Sequence, residues 1–330
     1  MTPRHANKFM FFLLLYQMIA SLIFAIIIIT LRDYLGMNIS FNVVIISSQI
    51  ISFVIPFFIY IRIKRCRIRD MLEFKRISFI NIVLIILLML FVQPMMMLMS
   101  AISTLFFPNN VSTVMELLFT GYLPLLILTI AVTPAICEEI IFRGIISSGY
   151  KKVDLKTAAV INGLLFGIMH RDPQQFLYAF ILGSVFYLLL HYTRSVWAPI
   201  LAHFVINASQ ATLGHFTFMA QENAPMYAYT MSEMDPYMLE MMQMMEGNEI
   251  IIAIIIMTIL SVVALPFFIG LFAYFVKYNK ARGNVRPLPQ DSEDESDIID
   301  SDMNDDPPQK VVDIYLILTV VLFIISLIIF

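Results

Sequence analysis

Pro134-Ala135-Ile136-Cys137-Glu138-Glu139-Ile140-Ile141-Phe142-Arg143-Gly144 sets two adjacent carboxylates and a guanidinium directly after a run, 122–137, that carries no charge. Those three residues therefore fall at or just inside an apolar layer. A charge there costs roughly 2.5–3.5 kcal/mol on insertion scales and is retained mainly where it is paired or does chemistry. The stretch raises two questions at once: what surrounds it, and which partners its charges have.

Composition answers the first. The chain has 330 residues, of which 60% are apolar and 14% charged, whereas soluble domains run near 45–50% and ~25%. Apolar stretches of about 20 residues, the length that crosses ~30 Å of hydrocarbon, recur along it. The expectation is an all-α protein, a polytopic transmembrane helix bundle of about nine spans in the cell membrane. Cys66 and Cys137 are too few for a disulfide framework and read as free thiols. Residues 20–30 continue the first span and lack the small-residue cleavage pattern of a signal peptide.

Taken in order, the expected spans are 9–31, 41–63, 77–99, 118–137, 157–169, 174–191, 196–213, 250–275 and 311–330. The loop after the second span holds Arg62, Lys64, Arg65, Arg67, Arg69, Lys75 and Arg76 against Asp70 and Glu73. The positive-inside rule makes it cytoplasmic, with the N-terminus on the same side. That loop reads as a topology signal touching anionic headgroups, so no nucleic acid partner is expected. Every later basic cluster (Arg143 to Lys156, Lys277 to Arg286) falls on the same side in the nine-span model. An uncharged outer loop is expected at 100–112.

Segmentation follows composition. Residues 1–114 read as three spans with the basic loop, 115–213 as a membrane core that holds the charged stretch and 214–249 as an outer segment. The last is acidic, with no Lys or Arg, and holds nine of the 23 methionines. Met238, Met241, Met242 and Met245 fit one helical face, read either as an adaptable binding surface or as a helix on the bilayer surface. Residues 250–278 form a further span. Next, 279–310 is a disordered cytoplasmic linker with nine acidic residues in 291–306, and 311–330 is the last span. Gly163, Gly167, Gly183, Ser184 and Ala202 suit close helix contact in lipid.

Candidate partners for the charges are few. Of five histidines, His5 lies in the N-terminal tail, while His191 and His215 read as interfacial. Phe166 and His170 are four residues apart and share a helix face, as do His203 and Asn207. Glu139 and Arg143 form an i,i+4 pair in the favourable order. Glu138 projects about 100° away from Glu139, which leaves it to face the histidines. An unpaired carboxylate in an apolar setting titrates in the range useful to a general base.

Together these residues resemble the CPBP family, the membrane-embedded CAAX-protease and bacteriocin-processing (Abi) proteins. Glu138, Glu139 and Arg143 match its EExxxR motif, Phe166 and His170 its FxxxH, and His203 and Asn207 its HxxxN/D. The resemblance covers roughly 115–210. It implies an intramembrane glutamate-type endopeptidase in which Glu138, aided by His170, activates a water. By the same analogy His203 and Asn207 donate to the oxyanion, and Glu139 with Arg143 holds the site in shape. The implied partners are a membrane-associated peptide or protein substrate and the lipid bilayer. No cofactor is expected; the alternative is zinc held by Glu138, His170 and His203, although no HExxH is present. Two rival readings are a non-catalytic scaffold of the same family, for bacteriocin immunity or cell-envelope regulation, and a proton-coupled transporter, against which no inverted repeat is visible.

Overall fold

The computed structural model describes residues 1–65, 67–108, 110–222, 235–285 and 310–329. The described residues form eleven helices and no strand beyond one isolated bridge. They are α1 (Pro3–Tyr34), α2 (Phe41–Lys64), the short α3 (Ile68–Met71), α4 (Phe79–Thr104), α5 (Asn110–Phe119), α6 (Leu123–Gly149), α7 (Leu155–Met169), α8 (Pro173–Thr193), α9 (Trp197–Glu222), α10 (Pro236–Ala281) and α11 (Ile314–Ile329). The molecule is an all-α, multi-pass membrane helix bundle.

Six of these are long and apolar enough to span a bilayer: α1, α2, α4, α6, α8 and residues Asn248–Ala281 of α10. The other three expected spans are helices too. However, α7 and α11 are shorter, and α9 is interrupted by His203, Asn207, Ser209, Gln210 and His215. Several boundaries differ from expectation. The expected outer loop is largely helical, because α4 runs to Thr104 and α5 begins at Asn110. The fourth span continues past its charges to Gly149. Residues 236–249 run straight into α10 rather than forming a separate segment. Met238, Met241, Met242 and Met245 lie in this helix, though their side chains fall outside what the structure describes; the expected linker begins as helix to Ala281, and its residues 286–309 fall outside the description.

Caps start the central helices. Asp154 accepts from the Thr157 N–H at 2.9 Å to open α7, and Asp172 accepts from the Gln174 N–H at 2.9 Å to open α8. Such side-chain oxygens satisfy amides that have no partner inside the helix. The chain leaves α8 through Arg194 in the left-handed region, φ 52°.

Small residues then bring α7 and α8 together. A Cβ on Gly163 would stand 2.3 Å from the Phe180 carbonyl oxygen, and one on Gly183 2.6 Å from the Phe166 Cβ. Only hydrogen at these positions allows that approach, and it replaces the hydrophobic drive that lipid does not supply. α8 stands between two apolar cores. One gathers side chains of α1, α2, α6, α7 and α11, the other those of α4, α9 and α10.

One end of the bundle is tied by polar contacts. Asn7 donates to Asp313 at 3.0 Å and accepts from the Tyr150 hydroxyl. Glu73 receives Lys151 at 3.3 Å and Arg194 at 3.9 Å, and its carbonyl accepts from the Val196 N–H at 2.9 Å. Asn81 and Asn279 exchange two side-chain bonds of 3.0 and 2.9 Å. The starts of α1, α4, α9 and α11 therefore meet the ends of α6, α8 and α10, together with the loop after α2. This basic end is where the charge pattern of the sequence converges.

Candidate active site

Glu138 and Glu139 are the sixteenth and seventeenth residues of the 27-residue α6. At 1.5 Å per residue that sets them about 17 Å from the helix end and about 23 Å from its start. They are mid-helix rather than at the inner end of a span. Regular α-helix holds over Thr133–Glu139, between π-helical turns at Leu128–Val132 and Ile140–Ile146. Single π-turns recur at functional sites because the extra residue re-aims side chains.

All of the motif side chains except those of His170 and Asn207 are buried. Glu139 is 0% exposed, Arg143 2%, Glu138 6% and His203 6%. Glu139 is fully engaged: Arg143 Nε donates to its Oε2 at 2.5 Å, and His203 Nδ1 lies 3.1 Å from its Oε1. Glu138 is the opposite case, its Oε2 buried without a hydrogen-bond partner. His203 is thus committed through Nδ1 to Glu139, not to Glu138 as the helix-face argument suggested. The reason is tertiary: α9 approaches α6 from the Glu139 side, a direction no local spacing specifies.

Arg143 spends one nitrogen on Glu139, and its two terminal nitrogens are buried without a hydrogen-bond partner. Aromatic faces stand in for acceptors. The guanidinium carbon is 5.9, 5.7 and 5.8 Å from the ring centroids of Phe142, Phe166 and Phe186, within cation–π range. Phe166 is the post of the assembly. Its ring meets Phe142 at 4.9 Å, His170 at 5.0 Å and His203 at 5.9 Å, all edge-on. Phe186 stacks on His203 at 5.5 Å. Sequence reasoning missed Phe142 and Phe186; the only signal was their place one residue before Arg143 and three after Gly183.

His170 closes α7, with Nδ1 2.9 Å from the Phe166 carbonyl oxygen. A carbonyl can only accept, so this bond fixes the proton on Nδ1 and leaves Nε2 with a lone pair in the neutral ring. Asn207 donates one amide hydrogen to the Ile130 carbonyl at 3.0 Å, tying α9 to the π-turn of α6. The remaining histidines stand apart: His5 pairs with Thr2 at 2.7 Å and His215 with the Phe119 carbonyl at 2.7 Å. His191, in the last turn of α8 at the basic end, is buried and meets Tyr192 edge-on.

Among the described residues no three His, Cys, Asp or Glu side chains are grouped so as to hold a metal ion. The set of Glu138, His170 and His203 is not among such groups.

Fold and site define a multi-pass membrane protein with a carboxylate–guanidinium–imidazole cluster sealed by aromatic rings inside its bundle. Residues 111–209, just under a third of the chain, match the family model described as "Rce1-like: Type II CAAX prenyl endopeptidase Rce1-like", which supports the resemblance of this segment to the CPBP family. The chain is also similar to the "Putative membrane peptidase YdiL" of Bacillus subtilis (strain 168), 38% identical over 85 residues, or 26% of this chain and 35% of that protein. The matched region thus spans about a third of that relative's length. No solved structure matches the chain.

Proposed function

We propose that this protein is an intramembrane endopeptidase that cleaves a membrane-associated peptide or protein, with Glu138 as the general base. The observation that carries the reading is the contrast within the glutamate pair. Glu139 is saturated by Arg143 and His203, while its neighbour presents a buried carboxylate oxygen with no hydrogen-bond donor. Structural carboxylates in apolar interiors are paired; one left with an unmet oxygen suits a water molecule, and the family resemblance brings His170 to the same water. The family match over 111–209 and the similarity to a membrane peptidase support the same class.

The chemistry follows from the donor and acceptor inventory. A water donates one hydrogen to Glu138 and the other to His170 Nε2, whose lone pair is fixed by the Phe166 carbonyl. Its oxygen attacks the scissile carbonyl as Glu138 takes the proton. The carbonyl π-electrons move to the oxyanion, which the unused Asn207 amide hydrogen and His203 Nε2 stabilise. His203 donates there only as the imidazolium, because Nδ1 faces a carboxylate. With Glu138 and Glu139 ionised and Arg143 positive, an imidazolium makes the cluster electroneutral, the cheapest state in lipid. Collapse of the tetrahedral species breaks the C–N bond, and Glu138 returns its proton to the departing amine. The aromatic box keeps other water out and strengthens each electrostatic contact.

The test uses detergent-purified protein and a library of membrane peptides. Glu138→Ala should abolish cleavage, Asn207→Ala should reduce it by about 10²–10³, the usual loss for one oxyanion donor, and chelators should leave the rate unchanged. Cleavage that persists in Glu138→Ala, with the cellular phenotype intact, would return the protein to the scaffold reading.

A further inference from the structure

A chamber of about 620 Å³ lies against α9, the helix that carries His203 and Asn207, and is within the size range of peptide and small-ligand pockets. Its walls come from α4, α5, α8, α9 and α10, and they include Ser100, Glu116, Gln174, Tyr178, Gln210 and Thr217. One helix face leads from the site into it, and a second helix adds polar side chains to its wall. On α9, His203, Asn207, Gln210, Gly214 and Thr217 step by four, three, four and three residues, one continuous helix face. On α8, Tyr178 and Gln174, one turn apart, both line the chamber. The face that carries the candidate oxyanion donors is therefore also a chamber wall.

The chamber lies at the end of the bundle opposite the basic one. Thr104 ends α4, whose start is tied to α10 through Asn81; Gln174 begins α8, whose end is tied to Glu73 through Arg194. Thr217 lies toward the end of α9, whose start bonds the Glu73 carbonyl, and Ala253 lies in the half of α10 away from Asn279. Charge at this end is mainly acidic, with Arg171, three residues before Gln174, and Arg32, at the end of α1, as basic exceptions. Glu116 is exposed in the lining, Glu249 is exposed one turn before Ala253, and the chain joining α9 to α10 carries acidic residues with no Lys or Arg.

We infer that the substrate enters through this chamber, from the end opposite the basic clusters, and that it is a peptide with basic residues flanking an apolar stretch. The methionines Met96, Met97 and Met257 accept apolar side chains of varied shape, the amides and hydroxyls meet an unwound backbone, and Glu116 with its acidic neighbours draws the basic flank. This rests on the endopeptidase reading for the word substrate, though not for the binding itself.

Crosslinking tests it independently of catalysis. In full-length protein with Cys66→Ser, Cys137→Ser and Glu138→Gln, single substitutions Gln210→Cys, Thr217→Cys and, at the basic end, Lys156→Cys are reconstituted in phosphatidylcholine vesicles. The probe is a synthetic peptide of three lysines, ten apolar residues and one cysteine activated as its pyridyl disulfide, which exchanges with a protein thiol and releases thiopyridone. Disulfide capture is expected at Gln210→Cys and Thr217→Cys, at least tenfold above Lys156→Cys. It should fall at least fivefold when the lysines become glutamates, and Glu116→Gln should narrow that difference. Both chamber positions are exposed, and thiol labelling by a small maleimide confirms that each variant is folded and reachable. Equal capture at Lys156→Cys, or no preference between the lysine and glutamate peptides, overturns the inference. Capture in the chamber without Glu138-dependent cleavage in the parent protein would retire the endopeptidase reading alone. Cleavage without capture would retire the chamber alone.

Discussion

Two groups of helices in this bundle are held by different forces. In the windows long enough to cross a bilayer, 56% of residues are buried in α6 and 61% in α8, against 17% in α1 and α2 and 11% in α10. The buried groups differ in kind as well. Among the described residues, the buried glutamates, arginine and histidines all lie in α6, α8 and α9, whereas buried polar groups of the outer helices are neutral: Asn7, Gln17, Asn81, Ser261 and Asn279. Lipid tails offer no hydrophobic drive between helices. The inner group is therefore assembled by glycine contacts and a compensated charge cluster, the outer group by sparse neutral hydrogen bonds. A bundle built this way keeps its chemistry rigid while leaving its rim adaptable.

The largest expected effect breaks the inner group. Arg143→Met leaves Glu139 buried with only His203 to compensate it, and removing one partner of a buried pair costs about 3–5 kcal/mol. Thermal unfolding in detergent should show it, and adding Glu139→Leu should recover much of the loss, since an apolar replacement of the whole pair is often tolerated. Arg32→Ala is the outer counterpart. Its side chain is 79% exposed and lies 3.9 Å from Asp33, so a change within ~0.5 kcal/mol is expected. Equal effects of the two substitutions would erase the contrast.

Glycine sharpens it next. Gly163→Ala drives a methyl to 2.1 Å from Ser184 Oγ and 2.3 Å from the Phe180 carbonyl. Backbone cannot yield as a flexible side-chain tip does, and overpacking of this kind costs about 1–3 kcal/mol. Gly270 of α10 has nothing within 4 Å of the same methyl, and alanine is the better helix former. Gly270→Ala should leave the unfolding temperature unchanged or slightly raised; a fall as large as that of Gly163→Ala would mean that α10 is packed more tightly than its exposure indicates.

The outer group has its own measurable contact. Asn81 and Asn279 exchange two hydrogen bonds between α4 and α10. Side-chain hydrogen bonds between membrane helices average about 0.6 kcal/mol and reach about 1.7 in double-mutant cycles. A cycle of Asn81→Ala and Asn279→Ala should return a coupling in that range. A coupling near zero would show that apolar contact alone holds α10.

What could be read from the sequence was whatever a helix sets locally. The all-α membrane class follows from composition, and the Glu139–Arg143 approach follows from spacing four residues along one helix. The convergence of basic ends was legible because lipid and charge segregate along the chain. Contacts across the bundle were not. His203 meets Glu139 over 64 residues of separation, and which glutamate it reaches depends on the side from which α9 approaches. The π-turns on either side of Glu138 have no signature in residue type, and they let α6 continue through the charges to Gly149 where a span end was expected. The aromatic box was hidden for a related reason: in a chain with 28 phenylalanines, nothing distinguishes the three that meet a guanidinium.

The smallest effect lies at the start of α7, the helix that carries Phe166 and His170. Asp154 is exposed, yet its carboxylate accepts the Thr157 N–H, and that backbone bond holds its pKa below the usual carboxylate value. A group depressed in the folded state contributes stability above its unfolded pKa near 3.9, and the contribution fades as pH falls through the lower folded value. Loss of an N-cap to alanine typically costs about 1 kcal/mol, so Asp154→Ala should lower the unfolding temperature at pH 7. The gap from the parent should shrink as pH is taken from about 5 toward 3. Asp154→Asn keeps an acceptor without a titratable proton and should remove the pH dependence while retaining most of the stability. If the gap between the parent and Asp154→Ala held constant down to pH 3, the cap would not be acting through its carboxylate. The entry of α7 would then be set by its glycine contacts with α8, which would extend the inner group's mode of assembly to the end of the helix.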